Sequence, residues 1–510
     1  MSTRYGPPLA GVCDQADAER CGYSVERCVE LIKRYHYAKV RLTHLGAAWV
    51  CGTPEWEVKC ALPLHAWLDA EHAAALRKRV TEMREPPLGL DKPPDERLKV
   101  FFDELLRAED TVELLTGVFR VVRPALREAY EQHRRESNPL IDHPTCRALR
   151  LIDVEEQAML EWGQATLAAC IRDDAARERA ERWEAHLLAY LYAAGGIRGD
   201  VAREGILAES RCENGFSHQR GLSHQRGLSH QRGLSHQRDL SHEPGPLRPQ
   251  GLPAPRSRRP FDIKLDPKRD DRFAGLYNTV VSADVVALDE SREADERTLA
   301  LLFKRLREMD VPEMMGPLIA QTEGQPWDYY VDMTRQMWDE ARHCMMGEVG
   351  LTARGIDWTR LPINVTFSYK ANHFLDAFER HVLLLAIEQT LMGRQRGKRS
   401  EWEIASASGD KLAAAFHDYD WADEVLHAAI GRRWLLPRIE GGLQGLTAAA
   451  DVVRKKILNG LAARPYPGPK DDHDWWPAFA ESALGRKVAQ VTQPDPAKPL
   501  SQQQVVGYSG

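Results

Sequence analysis

The sequence lacks the features of disulfide-bonded, secreted and membrane-spanning proteins. Its nine cysteines include no Cys-x-x-Cys pair and no regular spacing, which indicates reduced thiols in a cytoplasmic protein. No apolar run reaches the roughly 18 residues that a membrane span requires. Residues 1–15 lack the basic and apolar parts of a secretory signal. We therefore expect a cytoplasmic protein with no membrane partner.

An excess of positive charge is also missing. The 69 lysines and arginines are outnumbered by 75 aspartates and glutamates, which gives a net charge of -6. Because nucleic-acid-binding proteins carry an excess of basic residues, we expect no nucleic-acid partner. A chain of 510 residues with 43% hydrophobic residues is long and apolar enough for two or more domains.

Strand patterns are scarce, and apolar residues recur at helical spacing through most of the chain. One short strand candidate, residues 364–367, has no obvious partner. The helical segments of the first half are 23–49, 56–83, 98–133, 144–171 and 175–194. Those of the second half are 295–309, 312–322, 326–348, 372–392 and 410–435. The sequence therefore predicts an all-α fold.

A low-complexity tract separates the two halves. From Ser217 the hexapeptide Ser-His-Gln-Arg-Gly-Leu recurs with a period of six residues, and a stretch rich in proline and arginine follows at 244–260. Such a composition has too few large apolar groups to offset the chain entropy lost on folding, so we predict a disordered linker. The expected division is a helical domain at 1–200, the linker at 201–262, a second helical domain at 263–465 and a tail at 466–510.

The two halves share a spacing of tryptophan and histidine residues. Residues 40–72 align without gaps on residues 311–343, at an offset of 271. The aligned pattern Trp-x10-Trp-x4-His is formed by Trp56, Trp67 and His72 and again by Trp327, Trp338 and His343. Farther along, Glu156 aligns with Glu424 at an offset of 268. Such long-period similarity predicts two copies of one folding unit.

Two Glu-x-x-His pairs mark the second half: Glu340 with His343, and Glu424 with His427. A spacing of three places both side chains of a pair on one face of a helix. One pair is a weak signal, but each of these follows an aspartate directly, and each helix is preceded by one with an inward glutamate. A four-helix bundle that holds two metal ions takes one glutamate from each of two helices and one Glu-x-x-His from each of the other two.

The segments that carry these pairs are PWDYYVDMTRQMWDEARH at 326–343 and DYDWADEVLH at 418–427. With them the second half resembles the ferritin-like superfamily of di-iron carboxylate proteins, which includes rubrerythrin-type proteins and bacterial hydroxylases. The resemblance covers residues 295–435 and, in degenerate form, 25–165. It implies two ferritin-like antiparallel helical bundles joined by the linker. The second bundle would bind two iron ions, with manganese or a mixed iron–manganese pair as the alternative.

The resemblance implies six metal ligands, two of which have alternatives. They are Glu313, Glu340, His343, Glu379, Glu424 and His427. For the first helix, Glu313 starts an apolar stretch after Pro312, and Glu308 is the alternative. For the third helix, Glu379 would lie level with the glutamate of the fourth helix, whereas Glu388 has the more usual sequence separation from it.

Buried carboxylates need a counter-charge, since each costs several kcal/mol to desolvate when unpaired. Two divalent cations would neutralise four carboxylates, and mixed carboxylate and imidazole ligation suits iron or manganese. Asp339 and Asp423, next to the ligand glutamates, are candidate hydrogen-bond acceptors for the ligand histidines.

The first half departs from this ligand pattern. Asp69 stands at the position of Glu340, Met159 replaces the second histidine, and Leu42 replaces the first-helix glutamate. We therefore predict a metal-free structural copy. The alternative is residual binding by Asp69, His72, Glu113 and Glu156.

The resemblance implies an oxidoreductase that activates dioxygen or peroxide, for hydroxylation, desaturation or peroxide consumption, with a small-molecule substrate. The alternatives are a non-catalytic ferritin-like scaffold or metal-binding protein, and a tRNA-modifying hydroxylase, against which the acidic composition counts. In the tail we expect Trp475 and Trp476 to pack back onto the second domain, rather than a further metal site in the acidic run before them.

Overall fold

The computed structural model describes residues 6–84, 89–201, 252–257, 259, 261–273, 281–363, 365–393, 397–467 and 473–491. Every regular element in these ranges is helical and none is a strand, which confirms the predicted all-α class. The strand candidate is wrong, because a helix begins at Thr366. The hexapeptide repeats and the end of the tail lie outside the described ranges. None of the described helices combines the length and apolar character needed to cross a membrane.

Helices of the first half are started by short polar side chains. In the described ranges they are α1 (Gln15–Ala18), α2 (Val25–Val50), α3 (Trp56–Thr81), α4 (Glu96–Leu105), α5 (Thr111–Thr116), α6 (Arg123–Glu136), α7 (His143–Cys170) and α8 (Asp174–Ala193). Ser24, Asp110 and Asp142 each accept a hydrogen bond from a backbone N–H in the first turn of the helix that follows. A π-helical segment, Gly117–Val122, joins α5 to α6.

In the second half, one turn joins two helices that the sequence predicted to be separate. The described helices there are α9 (Ala283–Leu288), α10 (Ala294–Leu306), α11 (Asp310–Gln321), α12 (Trp327–Thr352), α13 (Thr366–Phe374), α14 (Ala377–Leu391), α15 (Lys398–Ala407), α16 (Lys411–Trp434), α17 (Gly442–Ala463) and α18 (Trp476–Leu484). The 3-10 turn Arg307–Met309 continues α10 into α11. Asp410 caps α16 by accepting a hydrogen bond from the backbone N–H of Ala413.

Four helical segments of the second half enclose a common interior. Helix α12 packs against α10, α11 and α16, and α14 packs against α11 and α16. Helix α15 covers one end, where it contacts α10 and α16. Side chains that face inward from these segments are therefore brought together.

The two halves also share a hydrophobic core. Helix α12 packs along α3, and α11 packs along α2. Leu45 and Val50 belong to the same buried cluster as Met314, Leu318 and Met333. The predicted division into two folding units stays a prediction, but the two units bury apolar surface against each other.

Gly316 lies where the backbones of the two halves come closest. A methyl group at this position would overlap the carbonyl oxygen of Ala47 and lie 3.3 Å from Cβ of Val50. Because backbone atoms cannot move aside as side chains do, we expect Gly316→Ala to lower the free energy of unfolding by about 1–3 kcal/mol. Urea denaturation would measure the change. A variant as stable as the wild type would mean that α11 and α2 do not approach this closely.

The tryptophans of the tail pack back onto the second half, as predicted. The indole Nε1 of Trp476 donates a hydrogen bond to Glu296 at 3.0 Å, and the side chain is fully buried. The ring of Trp475 meets Phe303 edge-on at a centroid distance of 5.0 Å. Residues 471 and 472 of the acidic run lie outside the described ranges.

Candidate metal centre

Six acidic and histidine side chains converge inside the second half, and none is more than 2% exposed. This Glu–His cluster consists of Glu308, Glu340, His343, Glu388, Glu424 and His427. One ligand atom from each of Glu340, Glu388, Glu424 and His427 lies within 4.8 Å of the others. The same holds for Glu308, Glu340 and His343. All four residues of the two Glu-x-x-His pairs predicted from the sequence therefore meet in one place.

The neighbouring helices α12 and α16 bring the two pairs together. Glu340 lies between the two imidazoles, with its carboxylate 3.7 Å from Nδ1 of His343 and 3.3 Å from Nδ1 of His427. The ring centroids of the histidines are 5.8 Å apart. Glu424 lies 3.5 Å from Nδ1 of His427, one helical turn away on the same face.

The predicted first-helix ligand, Glu313, does not join the cluster. It is buried where the halves meet, where it forms ion pairs with Lys59 and Arg269 and accepts a hydrogen bond from Ser368 at 3.2 Å. Five residues turn a helix by about 500°, so Glu313 and Glu308 cannot face the same direction. The alternative, Glu308, is the glutamate that faces the cluster.

The predicted third-helix ligand, Glu379, is also placed elsewhere. It forms a capping box with Asp376 at the start of α14 and an ion pair with Lys456 at 2.5 Å. The alternative, Glu388, lies nine residues later, on the opposite side of the helix. Glu388 faces the cluster and accepts a hydrogen bond from the amide of Gln336 at 3.0 Å.

Several atoms of the Glu–His cluster are buried without a hydrogen-bond partner in the described part of the chain. They are Nδ1 of His343 and His427 and Oε2 of Glu308, Glu388 and Glu424. A buried polar atom without a partner is costly, and such atoms are rare in folded proteins. These five atoms are carboxylate oxygens and imidazole nitrogens, the donors that iron and manganese bind. The donor set therefore fits a metal centre.

The outer nitrogens of the two histidines are held by aspartates in a crossed arrangement. Nε2 of His343 on α12 lies 3.1 Å from Asp423 on α16, and Nε2 of His427 on α16 lies 3.4 Å from Asp339 on α12. Arg342 donates to both aspartates, at 2.6 and 2.8 Å. A ligand histidine usually donates its other N–H to a carboxylate, which fixes the ring and its tautomer. The sequence predicted these acceptors but not that each serves the histidine of the other helix.

Burial and neighbouring carboxylates shift the pKa values of Glu388 and His343 toward their protonated forms. Burial raises the pKa of Glu388 far above its usual range, and the charge of Glu424 raises it further. Burial opposes protonation of His343, but Asp420, Asp423 and Glu340 outweigh it and raise the pKa of this histidine to about 10. Without metal the cluster is therefore neutralised in part by bound protons.

Two cations beside the cluster were not foreseen from the sequence. Nη2 of Arg305 lies 2.6 Å from Glu308, and Nζ of Lys398 lies 2.8 Å from Glu424. Both side chains also pair with Asp420. The spacing of three between Arg305 and Glu308 could have indicated their ion pair in the sequence. The contact of Lys398 could not be predicted, because Lys398 lies on α15, which is not one of the four segments that supply candidate ligands.

The first half contains a related cluster in which basic side chains replace part of the acidic set. Asp69, His72 and Glu156 come together at the positions expected from the alignment. Arg123 bonds Asp69 and Glu156 at 2.8 Å each. Lys39 bonds Asp69 at 2.8 Å and also Glu156. Two acids are thus balanced by two cations, and we call these five residues the charge-paired cluster.

The fourth residue proposed for residual binding in the first half, Glu113, lies elsewhere and pairs with Arg256 at 2.9 Å. A crossed contact persists, however, because Nε2 of His72 lies 2.6 Å from Glu155, the residue aligned with Asp423. The aligned segments thus share one crossed contact, but Lys39 and Arg123 bring basic groups to the first-half cluster.

The Glu–His cluster offers two adjacent ligand sets that share Glu340. Glu308 and His343 complete one set, and Glu388, Glu424 and His427 complete the other; Glu424 also lies within 4.8 Å of His343, together with Asp420. Each set supplies carboxylate oxygens and one imidazole nitrogen in a buried interior. No protein-family model, curated protein or solved structure matches this chain.

Proposed function

We propose that the second half is a ferritin-like helical bundle with a dinuclear metal centre, and that the protein is an oxidoreductase acting with dioxygen or peroxide on a small molecule. The observation that carries this proposal is the group of five buried donor atoms without hydrogen-bond partners in the described chain. The residue types and their helices match what such a centre needs, namely two lone glutamates and two Glu-x-x-His pairs. Iron or manganese suits these donors.

The balance of charge supports bound cations over a purely structural cluster. In and beside the cluster, eight buried acids face three buried cations and the half-buried Arg342. The acids are Glu308, Asp339, Glu340, Glu388, Glu401, Asp420, Asp423 and Glu424, and the buried cations are Lys304, Arg305 and Lys398. The charge-paired cluster of the first half reaches balance with side chains alone. The second half does not, and divalent ions would supply the missing charge.

A redox-active metal pair would supply electron transfer to dioxygen or peroxide when bound. The chain's own residues would prepare that site. Asp423 and Asp339 hold the imidazoles with Nε2 outward, so that Nδ1 faces the interior. Full burial of the six ligands keeps bulk water away from the centre.

The test is the metal content of the protein and of a His343→Ala/His427→Ala variant. We expect about two ions per chain in the wild type, since the donors form two sets. The double variant loses Nδ1 from both sets and should hold less than half of that amount. His72→Ala, the aligned change in the first half, is the matched control and should retain the full content.

Purified protein without stoichiometric iron or manganese, after growth with both metals, would contradict the proposal. Far-UV circular dichroism separates loss of metal from loss of fold in the double variant. Dioxygen consumption by the reduced, iron-loaded protein then tests the oxidoreductase assignment. Protein that holds two ions and consumes neither dioxygen nor peroxide would be the non-catalytic metal-binding alternative.

A further inference from the structure

The two ligand sets of the Glu–His cluster differ in their surroundings. At the set with Glu308 and His343, the ammonium of Lys398 lies 2.8 Å from Glu424 and 3.7 Å from Glu308. The guanidinium of Arg305 lies 2.6 Å from Glu308. Both cations are fully buried, so solvent does not screen them.

Lys398 meets the set with Glu388 and His427 only through Oε1 of Glu424, whereas Oε2 of Glu424 is the oxygen nearer His427, at 3.5 Å. The side chain that hydrogen-bonds Glu388 is the neutral amide of Gln336, at 3.0 Å. Its ligand atoms also form the more complete group, since three glutamates and one histidine lie within 4.8 Å of one another. One position thus offers four donors and meets Lys398 through one oxygen of Glu424, while the other has both Lys398 and Arg305 beside its own Glu308.

We propose that the two metal positions bind with unequal affinity and that Lys398 sets the difference. The position formed by Glu388 and His427 fills first. The position formed by Glu308 and His343 binds more weakly, because Lys398 lies beside Glu308, occupies the Glu424 oxygen that is farther from His427, and repels a second cation. This inference rests on the proposed function and concerns the order in which the two positions fill.

The expected difference in affinity between the two positions is large because the Lys398 ammonium and the bound cation would both be buried. A lysine ammonium within hydrogen-bond distance of a ligand oxygen lies only a few ångströms from any ion that this oxygen binds. At the effective dielectric of a protein interior, such a repulsion lowers affinity by at least about a hundredfold. Asp420 reduces the effect, since its carboxylate pairs with Lys398 at 2.9 Å. Asp420 also lies 3.3 Å from Nδ1 of His343, where it could serve as a ligand once Lys398 is removed.

Titration of metal-free protein with Mn²⁺, followed by calorimetry and by the electron paramagnetic resonance of free Mn²⁺, tests the inference. For the wild type we expect one tightly bound ion and a second that binds at least about a hundredfold more weakly. Lys398→Met should bring the two affinities within about tenfold of each other. Lys304→Met is the matched control, because Lys304 is buried nearby but pairs with Asp284 and Glu401 instead of a ligand.

A second pair of variants tests the same asymmetry without changing Lys398. Glu388→Gln should abolish tight binding of the first ion, whereas Glu308→Gln should leave it intact. Two equal affinities in the wild type, or no change in Lys398→Met, would overturn the inference and leave the dinuclear site standing. Absence of Mn²⁺ binding from every form, each folded by circular dichroism, would overturn the proposed function itself.

Discussion

Replacement of Arg123 by methionine should lower the free energy of unfolding by about 3–5 kcal/mol, although this arginine lies in the half without the predicted ligand set. Its guanidinium is fully buried and bonds both Asp69 and Glu156. Burial alone would raise the pKa of Asp69, but Arg123 and Lys39 outweigh it and lower this pKa to about 2. Without Arg123, two buried carboxylates would share one cation.

Urea denaturation of Arg123→Met beside Arg120→Met would measure this effect. Arg120 lies in the adjoining π-helical segment but is 33% exposed and pairs with Glu184 at 3.2 Å, so its replacement should cost less than about 1 kcal/mol. Adding Glu156→Gln to Arg123→Met should recover part of the loss, because one uncompensated charge is removed. Equal stabilities of the two single variants would refute the role assigned to the charge-paired cluster. The metal content of Arg123→Met and of Arg120→Met should equal that of the wild type.

Removal of bound metal should destabilise the second half, and the loss should grow as the pH rises from about 6 to 9. Free metal at a thousand times its dissociation constant stabilises a folded protein by about 4 kcal/mol. Binding requires Nδ1 of His343 and His427 without protons, so the affinity increases with pH. In the metal-free protein these protons are held tightly, since the pKa of His343 is raised to about 10.

The stability of the metal-free protein should fall as the pH rises, whereas the affinity for metal increases. A histidine whose pKa is about 10 when folded and about 6.5 when unfolded stabilises the fold fully below pH 6.5. That contribution is lost as the pH rises toward 10. Thermal unfolding with and without a chelator across this range would measure the widening difference. The His343→Ala/His427→Ala variant should be insensitive to the chelator, and a wild type with the same insensitivity would contradict the prediction.

The sequence was informative where one helix carries a complete signal. Glu340 with His343, and Glu424 with His427, could be assigned because a spacing of three fixes which side chains share a face. The first- and third-helix glutamates carry no such internal spacing. The choice between two candidate glutamates on each of these helices depended on where the helix begins. Glu379 was misjudged because it forms a capping box with Asp376 at the start of α14 and does not lie one or more turns inside the helix.

Other features depend on contacts between distant segments, which no local pattern reveals. Lys398 reaches Glu424 from a short helix between the third and fourth segments of the bundle. Glu313 is neutralised by Lys59 and Arg269, which lie far away in the chain. Periodicity predicted that these charged residues lie on helices, but it could not predict the partners that make their burial possible.

The crossed contacts between histidines and aspartates make the orientation of each Glu-x-x-His pair depend on the other helix. His343 is oriented by Asp423, and its counterpart His72 still has Glu155 at 2.6 Å in the first half. The other crossed pair, formed by His427 and Asp339, aligns with Met159 and Leu68, so both of its members are apolar there.

In the aligned segments each histidine and the acid beside it are thus both present or both absent, although they lie some 80 residues apart. The arrangement that orients each imidazole is a pair of residues on two helices. Either helix alone, placed in another protein, would carry its histidine without the aspartate that orients the imidazole.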